Sequence, residues 1–163
     1  MNQISWSNTV IVAYSALPQL VKTIDFGVKS RIDSGFGSKH LRIGISTEEL
    51  LLQIIQLNED KRKLCNLKFI VDNALSTLKE TDSEFIKLRY FKKMTFQAIA
   101  DQTGVCIRTI FRRHIKAVKN FCKALDLLGF GEDWLEKEYD QIDVLKAIKK
   151  RMEQTNYLTF GEL

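Results

Sequence analysis

Residues 95–118, TFQAIADQTGVCIRTIFRRHIKAV, decide how this chain is read. Most of the stretch has strong helix formers, yet Gly104 interrupts it, and a glycine inside a helix costs about 1 kcal/mol relative to alanine. A break at that cost marks a corner. The residues around it predict two helices. Thr95 caps the first by accepting a backbone N–H, Phe96, Ile99 and Ala100 form its buried side, and Gly104 supplies the left-handed turn. Ala100 is small enough for two crossing helices to approach. Beyond Val105 and Cys106 the second helix is expected to run to about Leu128. Two helices joined by so tight a turn form the unit that sets its second helix into a DNA major groove.

The second helix sorts cleanly at about 100° per residue. Ile107, Ile110, His114, Ala117, Val118, Phe121, Leu125 and Leu128 fall on one face, and Arg108, Arg112, Lys116, Lys119 and Lys123 on the opposite one, with Thr109 and Arg113 on its flank. Arg108 and Arg112 stand one turn apart near the N-terminus, where an arginine can donate two hydrogen bonds to guanine, worth about 1–3 kcal/mol of discrimination. Lys92, Lys93, Thr95, Thr109, Arg113 and Lys116 are assigned to phosphates, which hold register without reading sequence.

Charge points the same way. The net +5 of the 163 residues is modest, but residues 81–125 hold ten Lys/Arg against Asp82, Glu84 and Asp101, a local +7. Residues 126–163 have nine acids and five bases, a local −4, and the first 80 residues carry the remaining +2. A concentrated basic segment is the footprint of a polyanionic partner. A solvated lysine-rich helix face is the alternative that charge alone leaves open.

Composition sets the class. With 45% hydrophobic residues, 1 Pro and 8 Gly, the chain can fill a core and favours helices joined by short loops, so an all-α, multi-helix fold is expected. Cys65, Cys106 and Cys122 form no CxxC pair, and His40 and His114 lie far apart, so neither a disulfide framework, a metal site nor a cofactor is expected. No segment has the makings of a signal peptide or a membrane span, which predicts a cytoplasmic protein.

Outward from the core stretch, residues 7–32 repeat apolar side chains at helical spacing, with Pro18 bending or breaking the run. SGFGSKHLRIGIS, residues 34–46, reads as a flexible loop. Ser46 and Glu49 form a capping box before a long helix over 47–78, with candidate breaks at Asn66 or Asn73. Thr81 and Glu84 repeat the signature before Phe85, Leu88 and Phe91. After GFGED, an amphipathic segment from Trp134 to about Met152 is expected to dock on the body. Three parts follow: 1–45, a helical segment and loop; 46–128, a helical body holding the helix-turn-helix at about 81–125; and 129–163, an amphipathic helix and tail.

Residues 88–118, LRYFKKMTFQAIADQTGVCIRTIFRRHIKAV, resemble region 4 of bacterial sigma factors and its single-module relatives among transcription regulators. The likeness covers about residues 75–125. It implies a bacterial or phage-like helical unit that binds promoter DNA, with Ile107, Arg108, Thr109, Phe111, Arg112 and Arg113 in groove and backbone contacts. The recognition helix would then span about 107–125, with Ile107, Arg108, Phe111 and Arg112 at base edges. The chain departs from the family pattern at Thr103, where leucine is common, at Cys106, which replaces a capping serine or threonine, and at His114, normally aliphatic. Ile107 and Phe111 replace polar base readers, and they suit either thymine methyl groups or a protein surface. No stretch resembles sigma region 2, so a complete sigma factor is disfavoured.

The function expected is a sequence-specific DNA-binding transcriptional regulator acting on double-stranded DNA. The alternative is a helical interaction module that docks on RNA polymerase or another regulator through Ile107, Phe111 and Ile115. A homodimer is plausible because a single helix-turn-helix often binds weakly. His114 is expected as a satisfied core histidine, and Cys106 as a small, at least half-buried residue at a helix start. Glu48-Glu49, Glu59-Asp60 and Glu132-Asp133 are adjacent carboxylates without a nucleophile, histidine or phosphate loop, so no enzyme is expected.

Overall fold

The structure, a computed structural model, describes the backbone of residues 5–36 and 45–160, and the side chains of 5–35 and 45–155. Among the described residues every regular element is helical. The order is α1 (Trp6–Tyr14), α2 (Leu17–Phe36), α3 (Thr47–Thr77), α4 (Glu80–Ile86) continuing into a π-helical turn (Lys87–Phe91), α5 (Phe96–Thr103), α6 (Ile107–Leu127), α7 (Glu132–Tyr139) and α8 (Asp143–Phe160).

Contacts divide the chain into two compact units, Met1–Ser15 with Leu67–Leu163, and Ala16–Asn66. The divisions lie after Ser15 and Asn66, whereas the sequence reading drew its boundaries after residues 45 and 128. Helix α3 runs unbroken through Asn66 and Asn73, so neither expected break occurs.

In the first unit, α1 is the element around which the others gather. Trp6, Ser7, Thr9, Val10, Ile11 and Ala13 are buried, six of the nine residues of the helix, and none of the other three is exposed. Such a helix leaves its N-terminal N–H groups inside the protein, where an unpaired donor costs about 1–3 kcal/mol. Glu132, the first residue of α7, meets that need. Its carboxylate accepts from the backbone N–H of Trp6 at 2.6 Å and of Ser7 at 2.8 Å, and also from the Ser7 hydroxyl. Ser5 adds a local cap by accepting from the Asn8 N–H at 3.2 Å. The carboxylate also lies where the helix dipole favours negative charge.

The far end of α1 is tied to α3 and to the π-helical turn. Tyr14 donates to Asp72 Oδ1 at 2.6 Å, Lys68 pairs with Asp72 Oδ2 at 2.7 Å, and the Tyr14 ring stacks on Phe91 with centroids 4.3 Å apart. The run over 7–32, which Pro18 is expected to bend or break, is broken: α1 ends at Tyr14 and α2 starts at Leu17. Pro18 then falls in the first turn of α2, where its missing N–H leaves no bond unmade.

Two sequence expectations are corrected at the C-terminal end and at α4. The amphipathic segment from Trp134 is two helices, parted at Asp140–Ile142, and Leu135, Tyr139, Ile142 and Leu145 of that region are buried. Thr81 does not cap α4. That helix starts at Glu80 after Lys79, with no side-chain cap, and the buried Asp82 instead accepts from Asn120 of α6 at 2.7 Å.

In the second unit, α2 and residues 47–66 of α3 run antiparallel. Gly35 faces the Leu50 side chain, which would have to shift to admit a Cβ there, Arg31 donates to Gln53 at 3.1 Å, and Lys61 pairs with Asp25 at 2.6 Å. Ser46 caps α3 as expected, accepting from the Glu49 N–H at 3.1 Å. The expected loop over 34–46 is helical as far as Phe36, and residues 37–44, His40 among them, lie outside the described residues.

Replacing Glu132 with Ala leaves the first turn of α1 uncapped inside the protein. A loss of about 1–3 kcal/mol is expected, read as a lower urea midpoint at an unchanged denaturant slope.

Candidate nucleic-acid interface

The corner forms where the sequence places it. Thr95 is the N-cap of α5, its hydroxyl oxygen accepting from the Ala98 N–H at 3.1 Å. Gly104 closes the helix at φ 65° and ψ 23°, and its N–H donates to the Ala100 carbonyl, as does that of Val105 at 3.2 Å. No atom lies within 4 Å of where a Cβ on Gly104 would stand. Glycine is therefore favoured by the backbone alone: a left-handed φ costs other residues about 1–2 kcal/mol.

Past the corner, α6 buries Ile110, Ala117, Phe121, Ala124 and Leu125. Of the expected buried side of α5, Ile99 and Ala100 are buried and Phe96 is half-buried; Phe85 and Leu88 are buried as well, and Val105 is half-buried. Ile107 and Leu128, at the ends of the expected apolar stripe, are exposed. The opposite face is open: Arg108, Arg112, Lys116, Lys119 and Lys123 are all exposed, as is Arg113 on the flank. Among the described residues none of these six makes an ion pair. Arg113 and Lys116 border a cleft between α6 and α4–α5, together with Glu84, Gln102 and Thr103.

Lys92 and Lys93 are exposed on the turn that enters α5. Lys93 has φ 54°, a left-handed conformation in a residue other than glycine. That turn follows the π-helical segment, and Arg89 holds it: its guanidinium donates to the Met94 carbonyl at 3.0 Å and lies over the Phe96 ring, 4.5 Å from the centroid. Arg89 is thus one cation of the basic segment occupied by the protein itself.

The apolar flank of α6 carries Ile107, Phe111 and Ile115, all exposed. Phe111 also packs on Phe96, with centroids 4.8 Å apart, which couples α5 to α6 on the outer side of the corner. Cys106 is the N-cap of α6 but its side chain makes no capping bond. The thiol is exposed, contrary to the half-buried position expected, because the chain leaves the corner on the solvent side. It contacts the Thr109 hydroxyl at 3.2 Å. Hydrogen bonds from Thr109, side chain first and then backbone, hold the thiol below its ordinary pKa.

His114 is half-buried, as a satisfied interior histidine should be. Its Nε2 shares a hydrogen bond with the Tyr90 hydroxyl at 2.7 Å, and the Phe96 ring meets it edge-on with centroids 5.0 Å apart. Burial, and then the nearby Arg89 charge, push its pKa down.

Helices α4, α5 and α6 with the left-handed corner make this unit a helix-turn-helix. Residues 74–120 match the family model of sigma-70, region 4, a family of DNA-binding regulatory domains. The match spans less than a third of the chain and runs from the end of α3 into α6. No curated protein and no solved structure matches the chain. Among the described residues no helix is long and apolar enough to cross a membrane.

The lowered pKa of His114 makes folding sensitive to acid. Above the ordinary histidine value of about 6.5, the ring is neutral in both the folded and unfolded chain, and stability is unaffected. Below it the unfolded chain takes up a proton that the folded chain resists, so stability falls as pH drops toward the folded-state value. Urea midpoints between pH 7.5 and 5 are expected to decline in the native protein and to decline less in His114→Leu.

Proposed function

We propose that the protein is a sequence-specific DNA-binding transcriptional regulator whose α6 enters the major groove of double-stranded DNA. In this reading Arg108 and Arg112 meet base edges, and Ile107 and Phe111 contact thymine methyl groups. Lys92, Lys93, Thr95, Thr109, Arg113 and Lys116 hold phosphates. The supporting observation is the division of α6 itself: one face is core, and the other is a row of exposed cations without ion-pair partners among the described residues. Cations already neutralised by carboxylates would have little to gain from DNA. These can release the counterions condensed on a duplex when they replace them. Thr95 fits a phosphate as well, because its cap uses only the oxygen lone pair and leaves the hydroxyl proton to donate.

A second reading has its own observation. Ile107, Phe111 and Ile115 are exposed at four-residue steps beside the cationic face, a strip suited to a protein such as RNA polymerase or another regulator. In either role the unit works by binding and carries out no reaction.

Titration of duplex DNA at two salt concentrations separates the readings. Affinity is expected to fall steeply with salt. Arg108→Ala with Arg112→Ala should weaken specific binding by about 1–3 kcal/mol per arginine, with helicity unchanged. Lys116→Ala should lower the salt slope by about one. Salt-independent affinity, or loss of a protein partner on Phe111→Ala with no change in DNA binding, would favour the second reading.

A further inference from the structure

The exposed apolar residues of α6 do not share one direction. Ile107, Phe111 and Ile115 follow one another at four-residue steps, and four residues turn a helix about 40° beyond a full circle. Relative to Arg108, Ile107 therefore points about 100° to one side, Phe111 about 60° and Ile115 only about 20°. Arg112 lies about 40° to the other side, and Lys119 about 20°. Ile115 thus stands inside the cationic face, between Arg112 and Lys119, whereas Ile107 and Phe111 border it.

Exposure runs in the same order. Ile107 is 41% exposed, Phe111 46% and Ile115 66%. Phe111 has the Phe96 ring to pack on, at 4.8 Å between centroids. Ile115, in the middle of the cations, has the most surface left to cover. An aliphatic side chain there adds nothing to a surface that only holds phosphates, because it neither neutralises nor hydrogen-bonds them. It needs an apolar patch lying between polar contacts. At the base edges of the major groove that patch is the C5-methyl group of thymine.

Reach along the axis allows the contact. Ile115 follows Arg108 by seven residues, which is about 10 Å of helix, and the major groove is about 12 Å wide. The side chains from Arg108 to Ile115 therefore fit in the groove together, even in a helix that crosses it.

We infer that Ile115 is a further specificity-determining residue, one that reads a thymine methyl group within about three base pairs of the pair met by Arg108, at about 3.4 Å per pair. The inference rests on the DNA-binding reading and extends its base-facing surface by one helical turn. Cytosine, which has no methyl group, and the purines are disfavoured at that position.

The test uses a duplex selected by the native chain from a random pool, in which each thymine is replaced in turn by uracil. Uracil keeps the hydrogen-bonding edge of thymine and lacks only the methyl group. Within about three base pairs of the pair whose preference is relaxed in Arg108→Ala, one thymine is expected to matter to Ile115. Its replacement should weaken binding of the native chain about fourfold, the effect of burying about one carbon. In Ile115→Ala the same replacement should have no effect, and in Phe111→Ala it should keep its full effect. Ile115→Ala should retain native helical content by circular dichroism, and its salt slope should be unchanged because no charge is lost. Salt-dependent binding in which the native chain tolerates uracil at every such position would overturn the inference and leave the DNA-binding reading standing. So would a selected duplex without thymine there, or a methyl effect that survives in Ile115→Ala. Binding that ignores salt would overturn both.

Discussion

Everything in the helix-turn-helix unit follows from α6 having one apolar stripe. Ile110, Phe121 and Leu125 are fully buried, and burying side chains of this size contributes about 1.5–3 kcal/mol each. Turning the helix over would put Arg108, Arg112 and Lys116 inside, and an unpaired buried charge costs several kcal/mol. The two effects have the same sign, so the orientation of the cationic face is set by packing and needs no DNA to impose it. Gly104 makes this orientation reachable, since only a left-handed residue brings α5 back across α6 in so few residues.

Support for that helix comes from both ends of the sequence. Helix α1 is buried on nearly all sides and touches α6, α7, α8 and the π-helical turn. It is held at one end by the Glu132 carboxylate and at the other by the Tyr14–Asp72 bond and the Phe91 stack. The aromatic group around His114 adds a second brace. Phe96 is its centre, touching Phe111, His114 and the Arg89 guanidinium, so α5, α6 and the turn before them are fixed to one another. A recognition surface gains from such rigidity, because side chains already placed lose less entropy on binding.

The sequence was most legible where the deciding interactions are local. The Thr95 cap, the Gly104 corner and the two faces of α6 depend on residues a few positions apart, and helical spacing reveals them. The Ser46 cap was legible for the same reason. Glu132 was not: beside Asp133 it looks like one more solvated carboxylate, and its role lies with the backbone of Trp6 and Ser7, far away in sequence. Thr81 and Glu84 have the spacing of a capping box, yet α4 begins two residues before that box would start it, and Asp82 is committed to Asn120, a long-range bond that overrides the local motif. Charge counting overstated the free cations by at least Arg89, which no rule based on spacing assigns to a carbonyl and a ring. Exposure of the Cys106 thiol likewise depends on which way the chain leaves the corner, a tertiary fact.

In the function proposed, the outward face of α6 is the surface that meets DNA. Backbone amide NMR of the protein titrated with a mixed-sequence duplex at low salt tests it most directly. Shifts concentrated at residues 92–95 and 106–119 are expected, with the amides of α7 and α8 unmoved. Shifts centred on α7 and α8, or a spectrum indifferent to the duplex, would contradict it.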